Sequence, residues 1–328
     1  MAAGVPSVKL SNGVDMPLLG LGTWQLTDQA VVTSTIRCAL DSGYRSIDTA
    51  ELYENESQIG LALKEIFAEG KYNREDVFVT TKFLPINQFK RDTVEVALRR
   101  QLGRLQLDYV DLYIVHHPTA LIYENGEYTP AKEYDILDNW KGMEDVQRKG
   151  LAKSIGLSNY TLKQTERVVK NCEIKPVSIQ VEMHLYWPQF EFQEQMSRLG
   201  LALTSYATLG SDHRMTFVDP TSPLDFEAFN RPLEDAVAKE IAKKHNKTVA
   251  QVLLRWVVQR GVVVIPKSTS VQRIRENAGI FDFSLDEDDM TRLKNVGLRR
   301  RLYMFGKMMT GHPEDPFRVD REERKKEK

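Results

Sequence analysis

The feature that most constrains this chain is a rhythm: eight short apolar runs, each separated from the next by a longer and mostly amphipathic stretch. The runs are Leu18–Gly22, Ser46–Ala50, Val77–Lys82, Leu112–His117, Ser154–Asn159, Ser178–Met183, Leu203–Thr208 and Val262–Lys267. Runs of this length bounded by turn residues predict buried strands, and their alternation with helices predicts parallel βαβ units. Eight is the number that closes a parallel barrel, so the expected fold is α/β, a single (α/β)8 barrel of the TIM type. It is entered through a hairpin, with strands near Ser7–Leu10 and Val14–Met16 around an Asn12-Gly13 turn.

Between the runs, apolar residues recur at helical spacing, as in Asp28–Asp41 with Val31, Val32, Ile36, Ala39 and Leu40. The same pattern predicts helices over Ser57–Ala68, Arg91–Leu105, Tyr134–Arg148, Leu162–Asn171, Gln193–Arg198 and Leu233–Lys244. Val249–Gln259 follows with Thr248 as its N-cap, and Leu285–Val296 with Ser284 as its cap. Three stretches break the rhythm, near residues 119–133, 211–230 and 297–317. Long loops at the carboxyl ends of barrel strands line active sites, so these are the expected substrate walls. One domain over residues 1–317 is expected, with the almost wholly charged 318–328 as a frayed tail.

Composition narrows the function classes. With 41% hydrophobic and 28% charged residues among 328, the chain can bury a large core. A net charge of -1 leaves no basic footprint for nucleic acid or an anionic membrane. No apolar run reaches the roughly 18 residues of a membrane helix, and the opening MAAGVPSVKL lacks the apolar core of a signal peptide. Cys38 and Cys172 are far apart and outside any metal-ligand spacing. The expectation is a cytoplasmic monomer that binds a small molecule and no metal.

The ionisable residues at the strand ends carry the chemistry. Asp48 closes the second run and Lys82 the third, His116 and His117 end the fourth, and Tyr53 lies one short loop beyond Asp48. Apolar residues precede each, so a buried charge needs a partner, and Asp48 and Lys82 can serve each other. A tyrosine beside that ammonium is expected to have its pKa lowered from about 10, which makes it a general acid; a neighbouring histidine can orient the carbonyl it protonates. Any one of these residues alone would read as a polar group at a solvated barrel rim.

Gly20-Leu-Gly-Thr-Trp24, Gly43-Tyr-Arg-Ser-Ile-Asp-Thr-Ala50, Tyr53-Glu-Asn-Glu56, Leu112-Tyr-Ile-Val-His116, Ile155-Gly-Leu-Ser-Asn159, Gln180-Val-Glu182 and Ile265-Pro-Lys-Ser268 together resemble the motifs of the aldo-keto reductases. The likeness runs in order from about Val8 to Phe283. It implies an (α/β)8 barrel and NADPH-dependent reduction of aldehyde or ketone carbonyls. Carried across, it makes Tyr53 the proton donor, Lys82 and Asp48 its supporting ion pair, and His116 the group that holds the carbonyl. It assigns Ser158, Asn159 and Gln180 to the nicotinamide carboxamide and Tyr206 to its ring. Leu209, Gly210 and Ser211 go to the pyrophosphate, Lys267, Ser268, Thr269 and Arg273 to the 2'-phosphate, and Glu276 and Asn277 to the adenine. Thr23 and Trp24 join the cofactor set, and Trp24, Tyr53, His116 and His117 the substrate set. No GxGxxG occurs, so the phosphates are not held in the Rossmann manner.

Four positions depart from the family pattern. His117 stands where an aromatic is frequent, Leu84 where some aldose-reducing members are aromatic, Leu185 where His-Pro is usual, and Thr208 where proline is common. Trp24, Tyr186, Trp187, Phe217, Met304 and Phe305 are the candidate apolar walls. The likeness is nearest to animal members, and some insect members reduce ecdysteroid ketones. A hydrophobic ketone such as a steroid, a small aldehyde and a sugar all stay open as substrates. Two other classes compete with this one. A non-catalytic protein on this fold, of the channel-subunit or crystallin type, is disfavoured by the complete Asp48–Tyr53–Lys82–His116 set. A metal-dependent barrel hydrolase would need clustered ligands, whereas His116-His117 is a single adjacent pair.

Overall fold

A computed structural model describes residues 5–211, 231–303 and 309–326. All eight expected barrel strands are present: β3 (Leu21–Gly22), β4 (Ser46–Asp48), β5 (Phe78–Phe83), β6 (Val110–Val115), β9 (Ala152–Ser158), β10 (Ser178–Glu182), β11 (Ala202–Tyr206) and β12 (Val263–Val264). They pair in parallel in chain order from β3 to β12. The ring is joined where Leu19 pairs with Val264: Gly20 N donates to Val264 O at 2.9 Å and Val264 N to Leu18 O at 3.0 Å. This is the (α/β)8 barrel that the apolar rhythm predicts.

Alternation along each strand sorts the core into two parts. On β6, Leu112 and Ile114 point into the barrel with Phe78 and Val263, while Tyr113 and Val115 face the helices. The hairpin strands β1 (Ser7–Lys9) and β2 (Asp15–Pro17) bring Leu10 and Met16 onto the inner cluster, so the amino-terminal mouth is plugged by side chains. The outer cluster packs helices α1 (Gln29–Asp41), α2 (Glu56–Ala68), α3 (Arg91–Leu105), α4 (Ile136–Arg148), α5 (Leu162–Asn171), α6 (Phe190–Arg198), α7 (Ala236–His245) and α8 (Val249–Gln259) around the sheet. With one mouth sealed, the carboxyl ends of the strands are left as the place for a site.

Helix α6 starts three residues earlier than expected and α7 three later, and three further elements differ from the sequence reading. The stretch after Thr119, expected to be irregular, holds an antiparallel hairpin of β7 (Leu121–Glu124) and β8 (Glu127–Pro130). It turns at Asn125-Gly126, both at positive φ (53° and 85°), the geometry that tight hairpin turns demand. Helix α10 (Glu287–Lys294) starts later than expected, because Asp286 rather than Ser284 accepts from the Asp289 N–H and caps it. The segment read as a frayed tail forms a helix over Arg318–Lys326. Two of its charges have partners on the segment before it: Asp320 pairs with Arg301 at 2.8 Å, and Arg321 with Asp315. No described helix is long and apolar enough to cross a membrane.

Candidate active site

A cavity of about 370 Å³ opens among the carboxyl ends of the strands. At its base the Lys82 ammonium, wholly buried, donates to Asp48 Oδ1 at 2.5 Å, to the Thr49 carbonyl at 2.8 Å and to Tyr53 Oη at 3.3 Å. All three of its donors are thereby used. Asp48 Oδ2 accepts from Gln180 Nε2 at 2.8 Å. The ammonium also lies 4.7 Å from the centre of the Tyr53 ring, whose edge meets the His116 ring at 5.8 Å. Strand ends β4, β5 and β6 therefore bring Asp48, Tyr53, Lys82 and His116 together, as the sequence reading required.

Tyr53 sits at the end of a single 3-10 turn, Glu51–Tyr53, and a buried residue that the reading passed over fixes that turn. Asn55 accepts from Thr49 Oγ1 at 2.7 Å and donates to the Thr23 carbonyl at 2.7 Å. Thr23 in turn donates to the Asp48 carbonyl at 2.9 Å. The signal was present in Tyr53-Glu-Asn-Glu56, where only the tyrosine was given a role.

The electrostatics correct one expectation. The Tyr53 hydroxyl is pushed well above the usual phenol value, first by burial and then by the Asp48 charge, rather than lowered by Lys82. Burial likewise lowers Lys82, against the pull of Asp48. Tyr53 is thus a neutral phenol that holds its proton across the physiological range.

Burial holds His116 well below its ordinary value, with His117 and the Lys82 charge adding to the effect, and takes His117 down to about 3. Both rings are neutral in the fold and would take up a proton on unfolding below about pH 6.5. Their contribution is fully present above pH 6.5 and is lost as pH falls below it, for His117 down to about 3, at up to about 1.4 kcal/mol per pH unit for each ring. Urea unfolding between pH 7 and 4.5 should show this loss, and His117→Gln should reduce the slope by about one proton. An unchanged slope in His117→Gln would mean that His117 is not buried neutral.

The cofactor positions of the sequence reading line the same cavity, with one exception. Thr23, Trp24, Ser158, Asn159, Gln180, Tyr206, Leu209, Ser211, Lys267, Ser268, Thr269, Arg273, Glu276 and Asn277 are all on its wall. Gly210 is not, but its backbone at φ 89°, with Pro232 seated where a Cβ would stand, sets the turn between Leu209 and Ser211. Asn159, at φ 62°, donates to the His116 carbonyl at 2.9 Å and accepts from Tyr206 Oη at 2.8 Å. Ser205 and Thr208 hydroxyls lie 2.6 Å apart, so Thr208 fastens the loop where proline is common in the family. Lys267 and Arg273 flank the start of helix α9 (Val271–Ala278), and neither has an ion-pair partner among the described residues. The Lys267 ammonium is lowered by burial and by the Arg273 charge, the mark of two cations held together.

The substrate wall is partly different from the reading. His117 is not on the cavity wall: it stacks on His116, rings 4.9 Å apart and 11° from parallel, with the Phe317 ring crosswise at 6.5 Å. Once the chain leaves β6 the strand alternation lapses, so adjacency to His116 says nothing of where the next ring points. Trp24 lines the cavity, whereas Tyr186 is buried against Asp235 and Trp187 lies under Arg301. Phe217, Met304 and Phe305 lie outside the described residues, as does most of the 211–230 loop. Tyr303 and Leu52 line the wall and were missed. The apolar Met304-Phe305 pair pointed at the right segment and stopped one residue short of Tyr303.

The aldo/keto reductase family model matches residues 18–297. The chain belongs to the aldo/keto reductase family. It is 40% identical to aldo-keto reductase family 1 member A1 of Gallus gallus, over 97% of this chain and 99% of that one. Estradiol 17 beta-dehydrogenase 5 of Mus musculus is 39% identical, over 95% and 97%. The structure of the aldose reductase from Schistosoma japonicum superposes with a TM-score of 0.84 at 35% identity, covering 95% of this chain and 98% of that one. As an aldo/keto reductase the chain is an oxidoreductase acting on carbonyl groups, in a family that generally depends on a nicotinamide cofactor.

Proposed function

We propose that this aldo/keto reductase is an NADPH-dependent carbonyl reductase with Tyr53 as proton donor. The observation that carries the cofactor choice is the Lys267–Arg273 pair: two cations at one end of the cavity, beside a helix start, with no carboxylate partner among the described residues. Like charges held together call for an anion between them, and the dinucleotide with the extra 2'-phosphate supplies one. Bound in this cavity, NADPH supplies the hydride that reduces the carbonyl carbon. Ser158, Asn159 and Gln180 would hold its carboxamide and Tyr206 its ring.

The chain's own part is proton handling and orientation. Tyr53 Oη gives its proton to the carbonyl oxygen. The Lys82 ammonium, 3.3 Å from Tyr53 Oη, favours the phenolate left behind. His116, neutral and against the Tyr53 edge, orients the carbonyl. An intact Asp48–Lys82 pair beneath the phenol supports a working catalyst over a non-catalytic binder. The walls Trp24, Leu52 and Tyr303 favour an apolar carbonyl, a steroid-type ketone or hydrophobic aldehyde, over a sugar. Relatives named estradiol 17 beta-dehydrogenase 5 and prostaglandin F synthase 1 support that order. NADPH absorbance with steroid ketones, aldehydes and sugars side by side tests it. A cytoplasmic monomer is part of this reading: the free thiols of Cys38 and Cys172 support a reducing compartment, and sizing in solution tests the monomer.

Arg273→Met tests the cofactor assignment. A hydrogen bond to a charged group contributes roughly 1.5–3 kcal/mol, so NADPH affinity should fall about 10- to 150-fold. NADH affinity should move far less, and the NADPH penalty should shrink at high salt. Fluorescence titration of both cofactors reads this directly. Equal weakening of the two would remove the basis for NADPH.

A further inference from the structure

Glu182 ends β10 with its carboxylate entirely out of solvent, yet no residue of the catalytic set touches it. Its partners lie far along the chain. Oε1 accepts from the Leu302 N–H, and Oε2 from the Tyr303 N–H at 3.0 Å. His184 Nε2 lies 2.9 Å from Oε1, and because His184 Nδ1 accepts from the Tyr186 N–H, the proton belongs on Nε2, which donates to Glu182. The Arg301 guanidinium stands 4.0 Å away. A buried carboxylate is costly unless its acceptor sites are filled, and here two successive backbone N–H groups from the carboxyl-terminal segment help fill them.

What those two N–H groups carry is the Tyr303 ring. It forms part of the cavity wall, edge-on to Tyr206 at 5.7 Å and to Trp24 at 6.4 Å. Side chains two apart on a strand share a face, so β10 points Gln180 and Glu182 to the same side. Gln180 goes to the catalytic Asp48, and Glu182 to the segment that brings Tyr303 to the cavity wall. We propose that Glu182 is a positioning residue for carbonyl reduction: through the Leu302 and Tyr303 amides it fixes the Tyr303 ring against which an apolar carbonyl substrate lies. This rests on the reductase reading above.

The test compares wild type, Glu182→Gln, Tyr303→Ala and the double variant, each with NADPH and two carbonyls, a ring-bearing ketone and a small aliphatic aldehyde. Tyr303→Ala should raise KM for the ring-bearing ketone about three- to tenfold, the range of one lost aromatic contact, and affect the small aldehyde less. Glu182→Gln, which keeps the shape and removes the charge, should raise the same KM in the same direction. In the Tyr303→Ala background that effect should vanish, because the two residues act as one unit. Additive losses in the double variant, or equal losses on both carbonyls, would overturn the proposal. Should Glu182→Gln not fold, Tyr303→Ala decides alone: an unchanged ketone KM refutes it, and the selective rise supports it. A wild type that oxidises NADPH with neither carbonyl sinks the reductase reading, and this inference with it.

Discussion

Tyr53→Phe is expected to lower carbonyl turnover by at least about 10²–10⁴-fold, the worth of a positioned general acid. Cofactor affinity should stay within about threefold, because the substitution removes one hydroxyl and keeps the ring. That ring still receives the Lys82 ammonium at 4.7 Å and lies crosswise to the His116 ring at 5.8 Å, so the site does not collapse. The raised pKa adds a second expectation. A phenol held neutral by burial does not titrate between pH 6 and 9, so the rate of reduction should show no break from this group there. Single-turnover NADPH absorbance across that range measures both. More than a tenth of wild-type turnover in Tyr53→Phe would strip Tyr53 of the role.

Lys82→Met should cost stability as well as rate. Lys82 is 0% and Asp48 3% exposed, and removing one member of such a buried pair costs roughly 3–5 kcal/mol, since the other charge stays buried. After the substitution Asp48 keeps Gln180 but loses its counter-ion, and the Thr49 carbonyl loses its donor. Asp48→Asn should be milder, because an amide oxygen still accepts from the ammonium. Urea unfolding of the three proteins gives the order directly. A loss under about 1 kcal/mol in Lys82→Met would mean that the ammonium is not held as a buried ion.

The barrel was legible because parallel strands buried on both faces leave near-continuous apolar runs, and each of the eight holds the strand expected of it. The catalytic groups were legible for a related reason: polar residues stand out where such runs stop. Reading failed where the cause is not local. Asn125-Gly126 carries the same turn signal as Asn12-Gly13, but the long stretch around it drew the reading towards a loop. The charged tail has no apolar face, and what orders it, the Asp320–Arg301 pair, lies outside its own pattern. The direction of the Tyr53 shift depends on how deeply the phenol is buried, which residue identity does not give. Glu182 reads as one more polar strand end until Leu302 and Tyr303 are seen on it.

The joint between the first and last barrel strands has a further consequence. Gly22 N donates to Pro266 O at 3.3 Å, and a Cβ on Gly22 would stand 2.5 Å from the Ile265 carbonyl, so the two strands meet there backbone to backbone. The cavity straddles this joint, with Thr23 and Trp24 on one bank and Lys267, Ser268 and Thr269 on the other. During synthesis the second bank leaves the ribosome only after more than two-thirds of the chain, and until then the first has nothing to close against. The pocket is therefore completed only late in synthesis. Any ligand long enough to touch both banks clasps the early and late parts of the chain together, and so binds only the finished ring.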